Sequence, residues 1–384
     1  MYDVVIIGGG QAGLAVGYYI AKAFEKILDK TKLNYVILDE NPKAGGAWLH
    51  TWDSLTLFSP TNNSTLPGWF MPKSNYEYPT KDEVIEYLAK YEERYKLNII
   101  RNTKVLSVES QKSADDTCYI IKCSANNSKH INNSEFKTKF IINATGNFNN
   151  QFIPSYPNID KFLGEIIHSA QYRNPMEYLG KKVLIVGGAN SAAQILAEVS
   201  LVTNVKWSTL NPPIFLPDEI DGRDLFNSAT EVYKSNTEKK SNKLSVGFGK
   251  SLGDIVMVPS VKDARNRNVL NSSGKIVDFY SNGIIWENGD KGKNEFEEFD
   301  VVIFCTGFKN NLFHLQNMPN IFDENGKVIL KQRDFIKEQI FESNNYPNIY
   351  FIGYGNWTGF ASATLIGVGR FAKSLVADII QKLN

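Results

Sequence analysis

The chain has 384 residues, 42% of them hydrophobic and 22% charged, with a formal net charge of +1. That length predicts about two domains of ordinary globular composition, and the near-neutral balance excludes a whole-protein field that would draw in nucleic acid or an anionic membrane. The three cysteines, Cys118, Cys123 and Cys305, are too few and odd in number for a disulfide framework.

Met1-Tyr2-Asp3 leads straight into Val4–Ile7 with no basic or small-residue leader, so no signal peptide and a cytoplasmic location are expected. Tyr2–Ile7 runs into glycines, the pattern of a buried parallel strand. Ala12–Leu28 reads as a helix and Asn34–Leu38 as the next strand, completing a βαβ unit. Glu83–Tyr95 carries Val84, Leu88 and Tyr91 at helical spacing. Cys118–Lys122 and Glu135–Phe140, separated by the polar stretch Ala125–Ser134, predict a small inserted antiparallel meander. Phe140–Asn143 returns to a buried strand, and Asn149–Ile159, rich in Asn and Pro, reads as a linker. Lys182–Val186 followed by the helix Ala192–Leu201 repeats the strand–glycine–helix device; such a pair reads as two dinucleotide domains. Val183–Val202, the most apolar long stretch, is interrupted by Asn190, Ser191, Gln194 and Glu198 and cannot span a bilayer. Leu210–Val269 is long and irregular, with a helix expected at Asp224–Lys234 and a Lys/Ser/Gly-rich run at Ser235–Gly253; such a segment covers a site or makes an excursion. Val301–Cys305 and Ile349–Ile352 are further strands, and a C-terminal helix is expected from Ala361 to Leu383.

Gly8, Gly10 and Gly13 have the G-x-G-x-x-G spacing between a strand and a helix. The first allows the tight turn, the second lets backbone approach a pyrophosphate, and the third lets helix and strand pack closely. The helix N-terminus offers free N–H groups to phosphates, and Asp39 ends the next strand, where a carboxylate binds ribose hydroxyls. The second loop, Gly187-Gly188-Ala189-Asn190-Ser191-Ala192, departs from the pattern at Ala189 and Ala192, and a methyl at Ala189 crowds a pyrophosphate. At the end of its following strand an acid would favour NAD and an arginine NADP. Neither is present; Ser208, Thr209 and Asn211 can hydrogen-bond either form, which predicts weak discrimination between NADH and NADPH. Cys118 and Cys123 fall in the meander, far from the glycine loop in sequence, and read as packing residues. No cluster has metal-ligand spacing.

Between the two loops lies Phe162-x-Gly164-x-x-x-His168-x-x-x-Tyr172, the linker fingerprint of flavin-containing monooxygenases. Gly45-Gly46-x-Trp48, Ala144-Thr145-Gly146 and Cys305-Thr306-Gly307 match the same family. The chain resembles its small bacterial members, class B flavoprotein monooxygenases of the NADH/NADPH-tolerant subgroup, over essentially its whole length. Where the related Baeyer–Villiger fingerprint ends in Trp-Pro, this chain has Tyr172 and Arg173. The resemblance implies an α/β fold of two Rossmann-like dinucleotide-binding domains: an FAD-binding domain, residues 1–160 and 297–384, with an NAD(P)H-binding domain, residues 161–296, inserted.

It implies FAD held by Gly8, Gly10, Gly13, Asp39, Gly46, Trp48, Thr145, Gly146 and Asn356, and NADPH or NADH held by Gly187, Ala189, Asn190, Ser191, Ser208, Thr209 and Asn211. A helix beginning near Ala361 would point its N-terminus at the flavin. The implied reaction transfers one oxygen atom of O₂ from a C4a-(hydro)peroxyflavin to a small organic substrate, a thioether or amine, or a ketone. His168 reads as a linker-ordering residue rather than a catalytic base, because the cofactor carries the chemistry. Asn62 and Asn63, just past the flavin-contacting segment, are the candidate catalytic residues, although loop polarity alone also accounts for them. The substrate pocket is expected from Leu57–Phe70, Ile214–Asp218 and Trp357–Phe360, and a homodimer is a family expectation. An H₂O₂-releasing NAD(P)H oxidase or reductase, an amino-acid N-hydroxylase and a non-enzymatic flavin redox sensor remain as alternatives.

Overall fold

Strand β1 (Tyr2–Ile7) is buried over its last four residues, as a strand covered on both faces must be. In the computed structural model, which describes residues 1–26, 33–112, 117–124, 135–225, 254–287, 294–333, 338–359 and 361–383, it pairs in parallel with β2 (Tyr35–Leu38). Helix α1 (Gln11–Lys26) connects them. Beyond β2 lies the short edge strand β3 (Ile99–Ile100), also parallel. Helix α2 (Lys81–Tyr95) precedes β3 and begins in a capping box: Thr80 Oγ1 accepts from the Glu83 N–H, and the Glu83 carboxylate accepts from the Thr80 N–H. It buries Val84, Tyr87, Leu88 and Tyr91.

The expected meander is present. β4 (Val105–Lys112) and β5 (Thr117–Cys123) are antiparallel, and β5 pairs antiparallel with β6 (Glu135–Asn143). The two stretches read separately in the sequence, Glu135–Phe140 and Phe140–Asn143, are one strand. Its first half closes the meander, and its second half runs parallel to β1 and to β14 (Ile349–Phe351). Cys118 and Cys123 both lie on β5, five positions apart. Odd spacing puts them on opposite faces.

The second sheet contains β7 (Glu165–His168), β8 (Val183–Val186), β9 (Val205–Ser208) and β13 (Val301–Phe304), all parallel in the order β7-β13-β8-β9. Alternation along β8 and β13 feeds two cores. Val183, Ile185, Val301 and Ile303 pack toward α3 (Asn190–Val199) and α4 (Pro259–Asn266). Leu184, Val186, Val302 and Phe304 pack on Phe279, Ile284 and Trp286. Those belong to an antiparallel sheet of β10 (Ile276–Tyr280), β11 (Gly283–Trp286) and β12 (Glu295–Glu298), which no sequence pattern anticipated. The expected return to the first unit at residue 297 precedes β13, and the chain crosses back only after Phe304.

The C-terminal helix differs from expectation. Ala361 has a left-handed φ of 61°, which cannot start a right-handed helix. Residues 361–367 form turns, and α5 (Val368–Leu383) begins after them and packs on α1. No described helix is long and apolar enough to cross a membrane. Most of the helix expected at Asp224–Lys234, and the whole run Ser235–Gly253, lie outside the described residues, as does Phe360.

Candidate active site

At the carboxyl ends of β1, β2 and β6 a cavity of about 740 Å³ opens. It is lined by the glycine loop Gly8–Ala12, the strand end Leu38–Asn41, the turn Gly45–Trp48, the turn Ala144–Asn149 and Ala363. Of the predicted flavin-binding residues, Gly8, Gly10, Asp39, Gly46, Trp48, Thr145 and Gly146 line this cavity. Gly13 stands behind it: a Cβ there would collide with the Gly8 carbonyl oxygen, so the residue serves the turn itself. A Cβ on Gly8, which has φ 110°, would collide with the Ala144 carbonyl.

Gly10 is different. Its φ is not positive, and the nearest atom to a Cβ there is Gly46 Cα at 4.0 Å. The absence of a side chain at Gly10 leaves space in the cavity that no protein atom fills. The Asn147 Oδ1 is buried without a partner at the same cavity. A glycine-walled space at a helix N-terminus, an acid at the strand end and an unmatched amide oxygen fit a dinucleotide.

Asp39 is 3% exposed. Its carboxylate accepts from Asn41 Nδ2 at 3.1 Å and pairs with the Arg101 guanidinium, whose other nitrogen grips Glu92. Burial raises the Glu92 carboxyl, and Arg101 opposes that shift. Arg101 was not anticipated, since it enters from the end of β3 with no motif around it. Gln11 also escaped notice: its Nε2 donates to the Ala363 carbonyl and its Oε1 accepts from Trp48 Nε1 at 3.5 Å. It ties the glycine loop to the aromatic wall and to the turn before α5. That turn, not a helix N-terminus at Ala361, faces the cavity.

Asn356 has an exposed side chain and does not line the cavity; it opens a 3₁₀ turn after Gly355. Asn62, exposed, and Asn63, half-buried, sit on another 3₁₀ turn, Thr61–Asn63, also away from the lining. Tyr354, immediately before Gly355, holds the Thr145 hydroxyl at 2.7 Å.

His314 lines the same cavity and is 5% exposed. Its Nε2 lies 2.7 Å from Asn143 Oδ1, and the Asn143 amide donates to the Tyr350 carbonyl, joining β6 to β14. Burial lowers its pKa from 6.5 to about 4. A folded-state pKa below the unfolded one gives stability that is present above pH 6.5 and lost as pH falls toward 4. We expect the His314→Gln variant to lose roughly 3 kcal/mol of the decline seen between those limits. Urea midpoints across that pH range check this, and an unchanged pH slope would contradict it.

The linker fingerprint joins the two units. Phe162 meets Phe279 edge-on, with ring centroids 5.8 Å apart. Gly164 leaves room for the Asp300 carbonyl, which would stand 2.6 Å from a Cβ. His168 is fully buried: its Nδ1 accepts from the Ala170 N–H at 3.2 Å and its Nε2 donates to the Gly307 carbonyl at 3.0 Å. Burial lowers its pKa, with the Gly307 bond opposing. It lines neither this cavity nor the one at β9 described below. The Tyr172 hydroxyl donates to Glu198 Oε2 at 2.9 Å, and Ser54 donates to the other oxygen. The linker, α3 and the first unit's loop thus meet at one half-buried carboxyl, whose pKa desolvation raises.

In the second unit a Cβ on Gly187, at φ 135°, would strike the Cys305 carbonyl. Gly188 has open space, with Thr209 at 3.8 Å the nearest contact for a Cβ. Ala189 is the extended N-cap of α3, and Ser191 lies in its first turn. The Asn190 side chain is committed: Nδ2 donates to the Asp254 carbonyl and Oδ1 accepts from the Val256 N–H. It pins residues 254–256 over the start of α3. Past β9 lies a shallower cavity of about 520 Å³, lined by Thr209, Asn211 and Phe215 among others. Ser208 is turned inward, 3% exposed, and donates to the Gly274 carbonyl at 2.9 Å.

The profile of the pyridine nucleotide-disulphide oxidoreductase family matches residues 5–212. A flavin-containing monooxygenase from Stenotrophomonas maltophilia superposes with a TM-score of 0.82 at 36% identity, covering 100% of this chain and 99% of that one. CzcO of Bacillus subtilis, described as an uncharacterized oxidoreductase, is 30% identical over 99% of each chain. The indole-3-pyruvate monooxygenase YUCCA4 of rice is 26% identical over 99% of this chain and 88% of its own.

Proposed function

The chain belongs to the pyridine nucleotide-disulphide oxidoreductase family, as an oxidoreductase homologous to bacterial flavin monooxygenases, and from that premise we propose that it transfers one oxygen atom of O₂ to a small organic nucleophile, a thioether or amine, or to a ketone. The observation that carries this reading is the glycine-walled cavity at Gly10, continuous with Trp48 and the Thr145 turn. FAD is the resident cofactor, and NAD(P)H is the reductant. When bound, flavin accepts hydride and activates dioxygen; the protein's task is to hold, orient and shield it.

The first unit is the flavin-binding unit in this account. Its loop amides and the α1 N-terminus meet the pyrophosphate, Asp39 accepts from ribose hydroxyls, and the ion pair with Arg101 holds that carboxylate in place. Trp48, fixed through Gln11, walls the reactive end and excludes water. The second unit, from the linker to β13, takes the nicotinamide nucleotide. His168, neutral and bonded at both nitrogens, orders the join between the units and moves no proton. Asn62 and Asn63 are candidates for substrate or nicotinamide contact, approached from the loop that packs on the second unit, where the Gly222 N–H donates to the Phe58 carbonyl at 2.7 Å.

The test is a balance sheet of products. FAD-loaded enzyme is mixed with NADPH, and separately NADH, and an aryl methyl thioether in aerated buffer. Sulfoxide formed in step with cofactor consumed is the expected result. H₂O₂ accounting for all consumption across thioethers, amines and ketones would overturn oxygen transfer.

A further inference from the structure

Backbone pairing brings two opposite charges to the mouth of the cavity past β9. The Ser273 N–H donates to the Trp207 carbonyl at 2.7 Å and the Thr209 N–H to the Gly274 carbonyl at 3.2 Å. The segment before β10 therefore runs along the end of β9 as an extra edge. The next residue is Lys275. Its carbonyl accepts from the Glu287 N–H at 2.9 Å, so the two residues stand opposite each other on the β10–β11 pair. Their side chains meet at 3.7 Å, each about half exposed. Both line the cavity with Thr209 and Asn211. Among the described residues lining it, Lys275 is the one cation and Glu287 the one anion.

In a dinucleotide unit of this topology, the carboxyl end of the second strand is where the adenosine ribose lies. A carboxylate there accepts from a 2′-hydroxyl, and a cation receives a 2′-phosphate. The segment Val205–Asn211 contributes neither charge at its end. The hairpin contributes both, from some 70 positions further along the chain. Resting on the proposed nicotinamide-nucleotide site, we infer that Lys275 and Glu287 set the choice between NADPH and NADH. With NADPH, Lys275 leaves Glu287 for the 2′-phosphate. With NADH, the pair stays closed and Glu287 faces the 2′-hydroxyl. The pair is wide and solvated, so opening it costs little. One site then accepts both nucleotides.

The test uses full-length, FAD-loaded protein and two adenosine probes, 2′,5′-ADP and 5′-AMP, with binding read by calorimetry at low and high salt. Lys275→Ala should weaken 2′,5′-ADP roughly tenfold, with most of the loss disappearing at high salt, and leave 5′-AMP within about twofold. Glu287→Gln should strengthen 2′,5′-ADP by roughly threefold. Both positions are exposed, and retained flavin absorbance verifies the fold. Equal effects of Lys275→Ala on the two probes, or none on either, would overturn the inference and leave the site standing. Failure of both probes to bind the unmodified protein would overturn the nucleotide site and the inference with it.

Discussion

Gly10→Val should give a folded protein that does not retain FAD. The backbone at Gly10 is not in the left-handed region, and a Cβ there meets nothing nearer than 4.0 Å. The protein alone therefore has room for a Cβ at this position, and circular dichroism checks that the variant with the branched side chain folds. In the proposed flavin site the space that side chain fills is the path of the pyrophosphate along the α1 N-terminus, and two methyl groups there exclude close backbone approach. FAD affinity should fall by roughly 100-fold or more. Flavin absorbance after purification and a direct titration read this, with circular dichroism as the control for folding. Gly13→Val forms the contrast: its Cβ would strike the Gly8 carbonyl, so the variant should fail to fold. Stoichiometric FAD in Gly10→Val would remove the first cavity as the flavin site.

The second large effect belongs to Glu342. This carboxylate is 1% exposed and lies between Arg333 at 2.5 Å and Lys382 at 2.7 Å, and it accepts from the Asn348 N–H at 3.0 Å. Burial alone would raise its pKa; the Asn348 bond, Lys382 and Arg333 outweigh burial and lower it. The group fastens the end of α5 and the approach to β14, hence the edge of the first sheet. Glu342→Ala leaves Arg333 and Lys382 with Asp378 as their remaining shared anion, which should cost roughly 3 kcal/mol and lower Tm by about 4 °C for a chain of this size. The lowered folded pKa places this carboxylate's contribution above pH 4.5, its ordinary value, with loss as pH falls below it. Calorimetry of both proteins at pH 7 and pH 4 measures it. An unchanged Tm at pH 7 would contradict the role.

The elements that were legible are those whose residue types are forced locally. Gly8, Gly13 and Gly187 must be glycine because a neighbouring carbonyl occupies the Cβ position, and that necessity shows as spacing in the sequence. The fully buried strands β2, β8 and β13, and the last four residues of β1, show as apolar runs because both faces are covered. The β10–β12 sheet was not legible, because its last strand, Glu295–Glu298, alternates charge with a single aromatic and is mostly exposed. The start of α5 was not legible, because a left-handed alanine carries no sequence signal. Arg101, His314 and Lys275 reach their sites through tertiary placement, away in sequence from the motifs they serve. Asn62, Asn63 and Asn356 lie on loop turns that the fold sets outside the lining of the cavity at Gly10.

Isotopic labelling separates oxygen transfer from peroxide release. FAD-loaded enzyme turns over an accepted thioether with NADPH under ¹⁸O₂ in unlabelled water, and the sulfoxide is examined by mass spectrometry. One ¹⁸O atom per sulfoxide formed is the expected result. Sulfoxide carrying water oxygen, or label recovered only as H₂¹⁸O₂ with no product, would contradict it.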